Sequence, residues 1–217
     1  MKWAFVSDFD GTISKKDFYW IIIEKYFPEG HELFKRWKDG EMKDIEFLST
    51  VFASIFKEEE EIKQEILTIP IDEHVPSFIR RVQENGGDFY ILSAGTDYYI
   101  NHVLEKYGIT GVEVFSNKGF FREKNIHLNI DESHNHFSER YGIDKAKVIQ
   151  SIKEKYDVVY FAGDSEPDSH AVPFADLTFA KDALIGLLKE KEAATFFPVS
   201  AFKDIEDYLT KNGVLSS

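Results

Sequence analysis

Cysteine is absent from the 217 residues, which excludes disulfide staples and thiolate chemistry together. Positive charge is in short supply as well. Twenty-six Lys and Arg face 39 Asp and Glu, a formal net charge of −13. That field repels nucleic acid and anionic membrane surfaces, so neither is an expected partner. Long hydrophobic runs are missing too: no window approaches a membrane span, and the first apolar run, in "MKWAFVSDFD", meets acids too early for a secretory signal. A cytoplasmic location is the expectation. No fixed-period repeat or low-complexity tract occurs, and the charge run "KEEEEIK" at 57–63 reads as a solvated helix face.

What is present is an ordinary globular composition, 43% hydrophobic and 30% charged, in a length suited to one main domain with a small insertion. Residues 3–7 read as a short buried strand. From about Lys16 to Leu67 the apolar positions Phe18, Ile21, Ile22, Tyr26, Ile45, Leu48, Phe52 and Ile55 recur at helical steps, with no strand between them. Helix is expected again at 72–84, 98–107 and 145–156. Strands are expected at 88–93, 112–116, 157–162 and 176–180, with a hairpin over 119–130 turning near Lys124 and Asn125. Strands alternating with helices predict an α/β fold with a doubly wound, mostly parallel sheet whose ligands sit beyond the carboxyl ends of the strands.

Chemistry-bearing residues follow three of those strands. The first ends in "DFDGT" at 8–12, where extended backbone turns Asp8 and Asp10 to one side and Gly11 permits a sharp turn close to an anion. The strand at 88–93 ends in Ser93, followed by Ala94. The strand at 157–162 is followed by "GDSEPD", containing Asp164 and Asp168, and Lys145 opens the helix before it. Breaking a phosphate ester through a covalent intermediate needs such a set: a carboxylate nucleophile, a second acid for proton transfer, an oxygen-ligated Mg2+, and a base and a hydroxyl on the phosphoryl oxygens. Lys147, two residues on, competes with Lys145 for the lysine role. The cation also offsets the repulsion that a net charge of −13 imposes on a small phosphorylated metabolite.

In this order the motifs resemble those of the haloacid dehalogenase superfamily, in its phosphatase branch and its phosphoserine-phosphatase-like group. The resemblance implies a Rossmann-like core (1–14 and 73–217) with an inserted helical cap of the C1 type (15–72), a required Mg2+ and an aspartyl-phosphate intermediate. By it Asp8 is the nucleophile, Asp10 the acid/base, and Asp8, Asp164 and the Asp10 carbonyl are metal ligands. Asp168 supports the metal, and Gly11, Ser93, Ala94 and Lys145 hold the phosphate. The second acid of the D-x-D argues against a true dehalogenase.

Within the group, "ILSAGTDYYI", "WKDGEMK" and "DLTFAKD" resemble the methionine-salvage branch, although the cysteines usual there before the motif lysine are lacking. Phosphoserine, phosphocholine and phosphoethanolamine phosphatases and a sugar phosphomutase remain alternatives. Asp17 stands where phosphoserine phosphatases carry a glutamate, and "FLSTVF" where they carry an arginine, so a substrate carboxylate has no apparent partner. The aromatic residues Phe18, Tyr19, Trp20, Tyr26, Phe27 and Trp37 suit a core for the insertion or a pocket wall. Asp17, Trp20 and His134 are the candidates for contact with the leaving group. His127, His134 and His136 lack convincing ligand spacing for zinc. Oligomeric state is not legible.

Overall fold

A computed structural model describes residues 2–191 and 195–216. Strand β1 (Trp3–Ser7) is central and fully buried. Four helices come next, α1 (Phe18–Tyr26), α2 (Gly30–Lys38), α3 (Asp44–Phe52) and α4 (Glu59–Ile66), and then α5 (Val75–Glu84), β2 (Gly87–Thr96) and α6 (Asp97–Lys106). Strands β3 (Val112–Arg122) and β4 (Asn125–Asn129) form a hairpin, and the two-residue strands β5 (Phe137–Ser138) and β6 (Gly142–Ile143) form a second, smaller one. Helix α7 (Lys145–Lys153), β7 (Val158–Gly163), β8 (Leu177–Ala180), α8 (Asp182–Glu190), β9 (Phe196–Pro198) and α9 (Phe202–Lys211) complete the chain.

The large sheet has the order β4-β3-β2-β1-β7-β8-β9, and every pair except β3–β4 is parallel. The chain moves outward from β1 through β2 and β3, then crosses to β7 on the other side, so the topological switch lies at the carboxyl end of β1. The doubly wound, mostly parallel sheet expected from the alternation of patterns is therefore what forms.

Burial on both faces explains why β1 is a continuous apolar run. Trp3 and Phe5 face one layer, where Phe5 meets Phe78 edge-on at 4.9 Å and stacks on Phe89 at 5.5 Å. Ala4 and Val6 face the other, against Val148, Ile149 and Phe161.

The stretch that reads as one helical region at 16–67 is divided into four helices. Gly40 at φ +82° and Phe56 at φ +51° mark two of the breaks, since both depart from right-handed helical backbone. The four helices leave and rejoin the rest of the chain side by side: Ser14 bridges Ile71, Lys15 N donates to Pro70 O at 2.8 Å, and Asp72 N donates to Ile13 O at 2.9 Å.

Strand β3 is one unbroken strand where separate pieces at 112–116 and 119–130 are expected. Its polar middle is tolerated because buried Asn117 donates to Ala94 O and Tyr141 O, each at 2.9 Å. The stretch at 131–144, polar in sequence, carries β5 and β6. No helix among the described residues is long and apolar enough to cross a membrane.

Phe5 is wholly buried at the centre of this ring stack. Phe5→Ala lowers the unfolding free energy by about 3–5 kcal/mol in a urea titration. The exposed Phe174, changed to Ala, moves it by less than about 0.5 kcal/mol.

Candidate active site

Asp8 follows β1 in extended backbone, φ −61° and ψ 161°, and its amide donates to Ala162 O of β7 at 2.9 Å. Strand pairing on both sides thus fixes where its carboxylate stands. Residues 9–13 then make one wide helical turn in which Gly11 takes φ +79°. A Cβ at Gly11 would lie 2.4 Å from Asp164 Oδ2, so the turn approaches that acid as only glycine permits. Gly11 N donates to Ser14 Oγ at 3.2 Å, and Lys181 Nζ donates to the carbonyls of Gly11 and Thr12 at 3.1 and 3.4 Å.

Lys145 is the first residue of α7, where Asp144 caps the helix by accepting from Lys147 N at 3.1 Å. Its Nζ donates to Asp8 Oδ1 at 2.7 Å and to Asp168 Oδ1 at 2.6 Å, with all three side chains buried. Lys147 is exposed and donates to Phe137 O, which leaves the site to Lys145. Asp168, in the 3-10 turn Glu166–His170, accepts with its other oxygen from the amides of Asp164 and Ser165 at 2.9 and 3.1 Å. The Thr12 hydroxyl stands 3.3 Å from Asp8 Oδ2 and 3.2 Å from Asp164 Oδ1.

The carboxylates of Asp8, Asp164 and Asp168 can each offer an oxygen within 4.8 Å of the others. Both Asp168 oxygens already have partners, so Asp8 and Asp164 carry most of the free ligating capacity. Burial, then repulsion from Asp168, raises the Asp8 carboxyl to about 7 against the pull of Lys145. Burial with repulsion from Asp8 and Asp168 raises Asp164 to about 9. Burial alone would lower Lys145, but Asp168 and Asp8 outweigh it and hold the ammonium charged. One ammonium does not balance this acid cluster, and an all-oxygen donor set suits a hard divalent cation such as Mg2+. The residues fit that ion.

Asp10 sits beside the cluster. Its Oδ1 accepts from Phe18 N at 3.3 Å, and its Oδ2 from the Tyr99 hydroxyl and from Ser93 Oγ, the latter at 3.4 Å. Burial, then repulsion from Asp17, raises its carboxyl to about 8. Ser93 and Ala94 lie where β2 loses register with β3, and Ser93 Oγ also accepts from Gly95 N at 3.0 Å.

A cavity of about 770 Å3 opens from these residues, with Asp8, Asp10, Ser93, Ala94, Gly95, Lys145 and Asp164 on its inner wall. Its outer wall comes from the inserted helices and from the β5–β6 hairpin: Asp17, Tyr19, Trp37, Lys38, Asp44, Leu48, Arg140 and Tyr141. Trp37 stacks on Phe47 at 4.4 Å and Lys38 Nζ stands 4.0 Å over the Trp37 ring. Arg140 Nε lies 3.0 Å from buried Asp44.

Of the residues singled out from sequence, Asp17 reaches this cavity. Trp20 is not among its lining residues; its ring is 4.5 Å from Phe34 and 5.6 Å from His31. His134 is exposed against His136, with ring centroids 5.2 Å apart, and is outside the lining too. Gly11 shapes the turn without lining the cavity. Tyr99, Lys181, Arg140 and Asp44 were not singled out. Lys181 lies inside "DLTFAKD", and Tyr99 inside "ILSAGTDYYI", but neither residue type announces a role before the fold brings it to the site.

The profile described as haloacid dehalogenase-like hydrolase matches residues 5–172. The chain belongs to this family. It is 31% identical over 206 residues, 93% of each chain, to the 2-hydroxy-3-keto-5-methylthiopentenyl-1-phosphate phosphatase of Bacillus cereus (strain G9842). To the protein of the same name in Bacillus pumilus (strain SAFR-032) it is 30% identical over 222 residues, 94% of each. Among solved structures it resembles a phospho-aspartyl intermediate analogue of phosphoserine phosphatase, with a TM-score of 0.70 and 19% identity over 95% of this chain and 98% of that one. A cytosolic 5'-nucleotidase IIIB bound to cytidine also matches, with a TM-score of 0.61 and 18% identity over 97% and 84%.

The raised carboxyls fix the sign of the pH dependence. Asp8, Asp10 and Asp164 rise from 3.8 to about 7, 8 and 9, so between those limits the folded chain binds more protons than the unfolded one. Stability from these groups is therefore present at low pH and lost as pH rises from about 4 to about 9. In thermal melts without divalent cation the midpoint falls across that window. Added Mg2+ raises it at about pH 8, and Asp164→Asn flattens the fall.

Proposed function

We propose that the chain hydrolyses a small phosphate monoester through a phosphoryl intermediate on Asp8, with Mg2+ held by Asp8, Asp164 and the Asp10 carbonyl. Residues 15–72 serve in this reading as a helical cap over a core of 1–14 and 73–217. The chain is a haloacid dehalogenase-type hydrolase, and specifically a phosphoric monoester hydrolase, supported by its family and by its phosphatase relatives. The observation that carries the reading is the buried Asp8 carboxylate, held at 2.7 Å by Lys145 and sharing one cavity with Asp10 and Ser93.

When bound, Mg2+ supplies charge neutralisation and orientation for the phosphate. Asp8 attacks phosphorus, an Asp–O–P bond forms and the ester P–O bond breaks, while Asp10 gives its proton to the departing alkoxide. Water then attacks phosphorus, its proton passes to Asp10, the bond to Asp8 breaks, and phosphate leaves. Lys145 keeps Asp8 placed and offers positive charge to the phosphoryl oxygens; Ser93 donates a hydrogen bond to one of them. Asp168 fixes Lys145 and the Asp164 loop.

The methionine-salvage ester named for the relatives is the substrate favoured. The relatives align along 93% of both chains, and the outer wall places the apolar faces of Tyr19, Trp37 and Leu48 beside the polar Asp44 and Arg140, as a leaving group with an apolar tail and oxygenated carbons requires. Phosphoserine is the second reading, because Lys38 and Arg140 bring two cations to the cavity that the sequence pattern did not reveal. The absence of a nucleic acid or anionic-membrane partner in this reading accords with the net charge of −13, and a cytoplasmic location is part of the same reading.

Phosphate release is measured on a panel holding the methionine-salvage ester, phosphoserine, phosphocholine, phosphoethanolamine and sugar phosphates. Release requires Mg2+, stops with a chelator, and falls by at least about a thousandfold in Asp8→Asn, whose thermal midpoint stays near or above that of the parent. A sugar phosphomutase would instead transfer the phosphoryl group to a second sugar hydroxyl and leave hydrolysis slow. Release that survives Asp8→Asn overturns the assignment.

A further inference from the structure

We infer that Tyr99 is a positioning residue whose hydroxyl holds the Asp10 carboxyl in place for proton transfer. This rests on the reading of Asp10 as the acid/base. Two independent features of the structure lead to it.

The first is the bonding of Asp10. Its two oxygens are held from opposite elements: Oδ1 by the backbone amide of Phe18 at the start of α1, and Oδ2 by the Tyr99 hydroxyl from the first turn of α6. Ser93 Oγ, at 3.4 Å, is the weaker neighbour of Oδ2 and is bonded by Gly95 N as well. If Ser93 turns its hydroxyl to a phosphoryl oxygen, as proposed above, Tyr99 is the side-chain donor that stays with Asp10. A carboxyl released at Oδ2 regains rotation about its side chain, and proton transfer tolerates little misplacement.

The second is the backbone made to receive that hydroxyl. Gly95 has no side chain, and a Cβ there would fall 1.7 Å from the Tyr99 oxygen and 2.9 Å from Asp10 Oδ2. The phenol therefore crosses β2 through the space a side chain would occupy. The ring itself is anchored by packing alone, 5.1 Å from Phe18, 5.8 Å from Phe9 and 6.1 Å from Phe52. Phenylalanine keeps all of those contacts, so Tyr99→Phe isolates the hydroxyl.

The test compares two aryl esters with Mg2+ present. Nitrophenolate leaves 4-nitrophenyl phosphate without needing a proton, whereas phenyl phosphate has a poorer leaving group that does. kcat/KM reports the step in which the ester bond breaks. Tyr99→Phe is expected to lose about tenfold or more on phenyl phosphate and less than about twofold on 4-nitrophenyl phosphate, one factor of ten being about 1.4 kcal/mol of barrier. Asp10→Asn is expected to show the same selectivity more strongly, and Gly95→Ala, which pushes the phenol away, to follow Tyr99→Phe.

Equal losses on both esters would make Tyr99 a packing residue and overturn the inference; no loss on either would overturn it too. An Asp10→Asn variant as active as the parent on phenyl phosphate would instead overturn the acid/base assignment itself. A parent inactive on both esters and on the substrate panel would take the phosphatase reading, and this inference with it.

Discussion

Everything at the sheet edge depends on one buried ammonium. Lys145 Nζ lies between Asp8 and Asp168 at 2.7 and 2.6 Å, joining the end of β1, the start of α7 and the turn after β7. Such a triad is costly to bury, and the Coulombic gain repays it only when the remaining lone pairs are also satisfied. Those of Asp168 are satisfied by backbone, since the amides of Asp164 and Ser165 take its second oxygen, while the second Asp8 oxygen has the Thr12 hydroxyl at 3.3 Å and keeps capacity for a cation. Replacing this cluster with apolar side chains would serve stability as well or better, so its presence speaks for a use in chemistry.

The same constraint explains the glycines around the site. Gly11 lets its turn come against Asp164, and a Cβ at Gly163 would stand 2.5 Å from Asp168 Cγ. Neither residue needs to touch a substrate. Each removes a side chain from the path along which a carboxylate must approach its partner.

Much of this was legible in the sequence because parallel sheets bury their strands on both faces and deliver polar residues only where a strand ends. "DFDGT" and "GDSEPD" come at the ends of apolar strands, and Ser93 comes where the apolar run of β2 stops although the strand itself continues to Thr96, so their convergence could be read before any coordinate. What could not be read was of two kinds. Strand β9 and the β5–β6 hairpin are too short to leave a periodic pattern, and β3 runs through a polar middle that is tolerated because Asn117 finds two carbonyls. Tyr99 and Arg140 belong to the second kind. Their residue types are common, and only the approach of α6 to Gly95, or of the small hairpin to Asp44, gives them a part in the cavity. Trp20 shows the converse error, since an aromatic side chain beside Asp17 in sequence turns away on the helix to pack against Phe34.

This division between strand ends and outer wall also accounts for the unequal reach of the functional reading. The inner wall is built from backbone-anchored carboxylates and one buried lysine, a set that on the proposed reading would recognise a phosphoryl group and a cation regardless of what the phosphate is attached to. The outer wall is built by helices α1–α3 with the residue before them and by a hairpin, and its polar groups are partly paired already: Arg140 with Asp44 as an ion pair, and the Tyr141 hydroxyl donating to Glu166 at 2.7 Å. On the proposed reading, a substrate gains from these groups only where it can replace their pairings with its own, so the outer wall would select by what it can repartner. An ester carrying only an apolar tail would leave Arg140 and Asp44 as they are. One that also carries oxygen on the carbons next to the phosphate would offer both a donor and an acceptor to that pair, with Tyr19, Trp37 and Leu48 available to its tail.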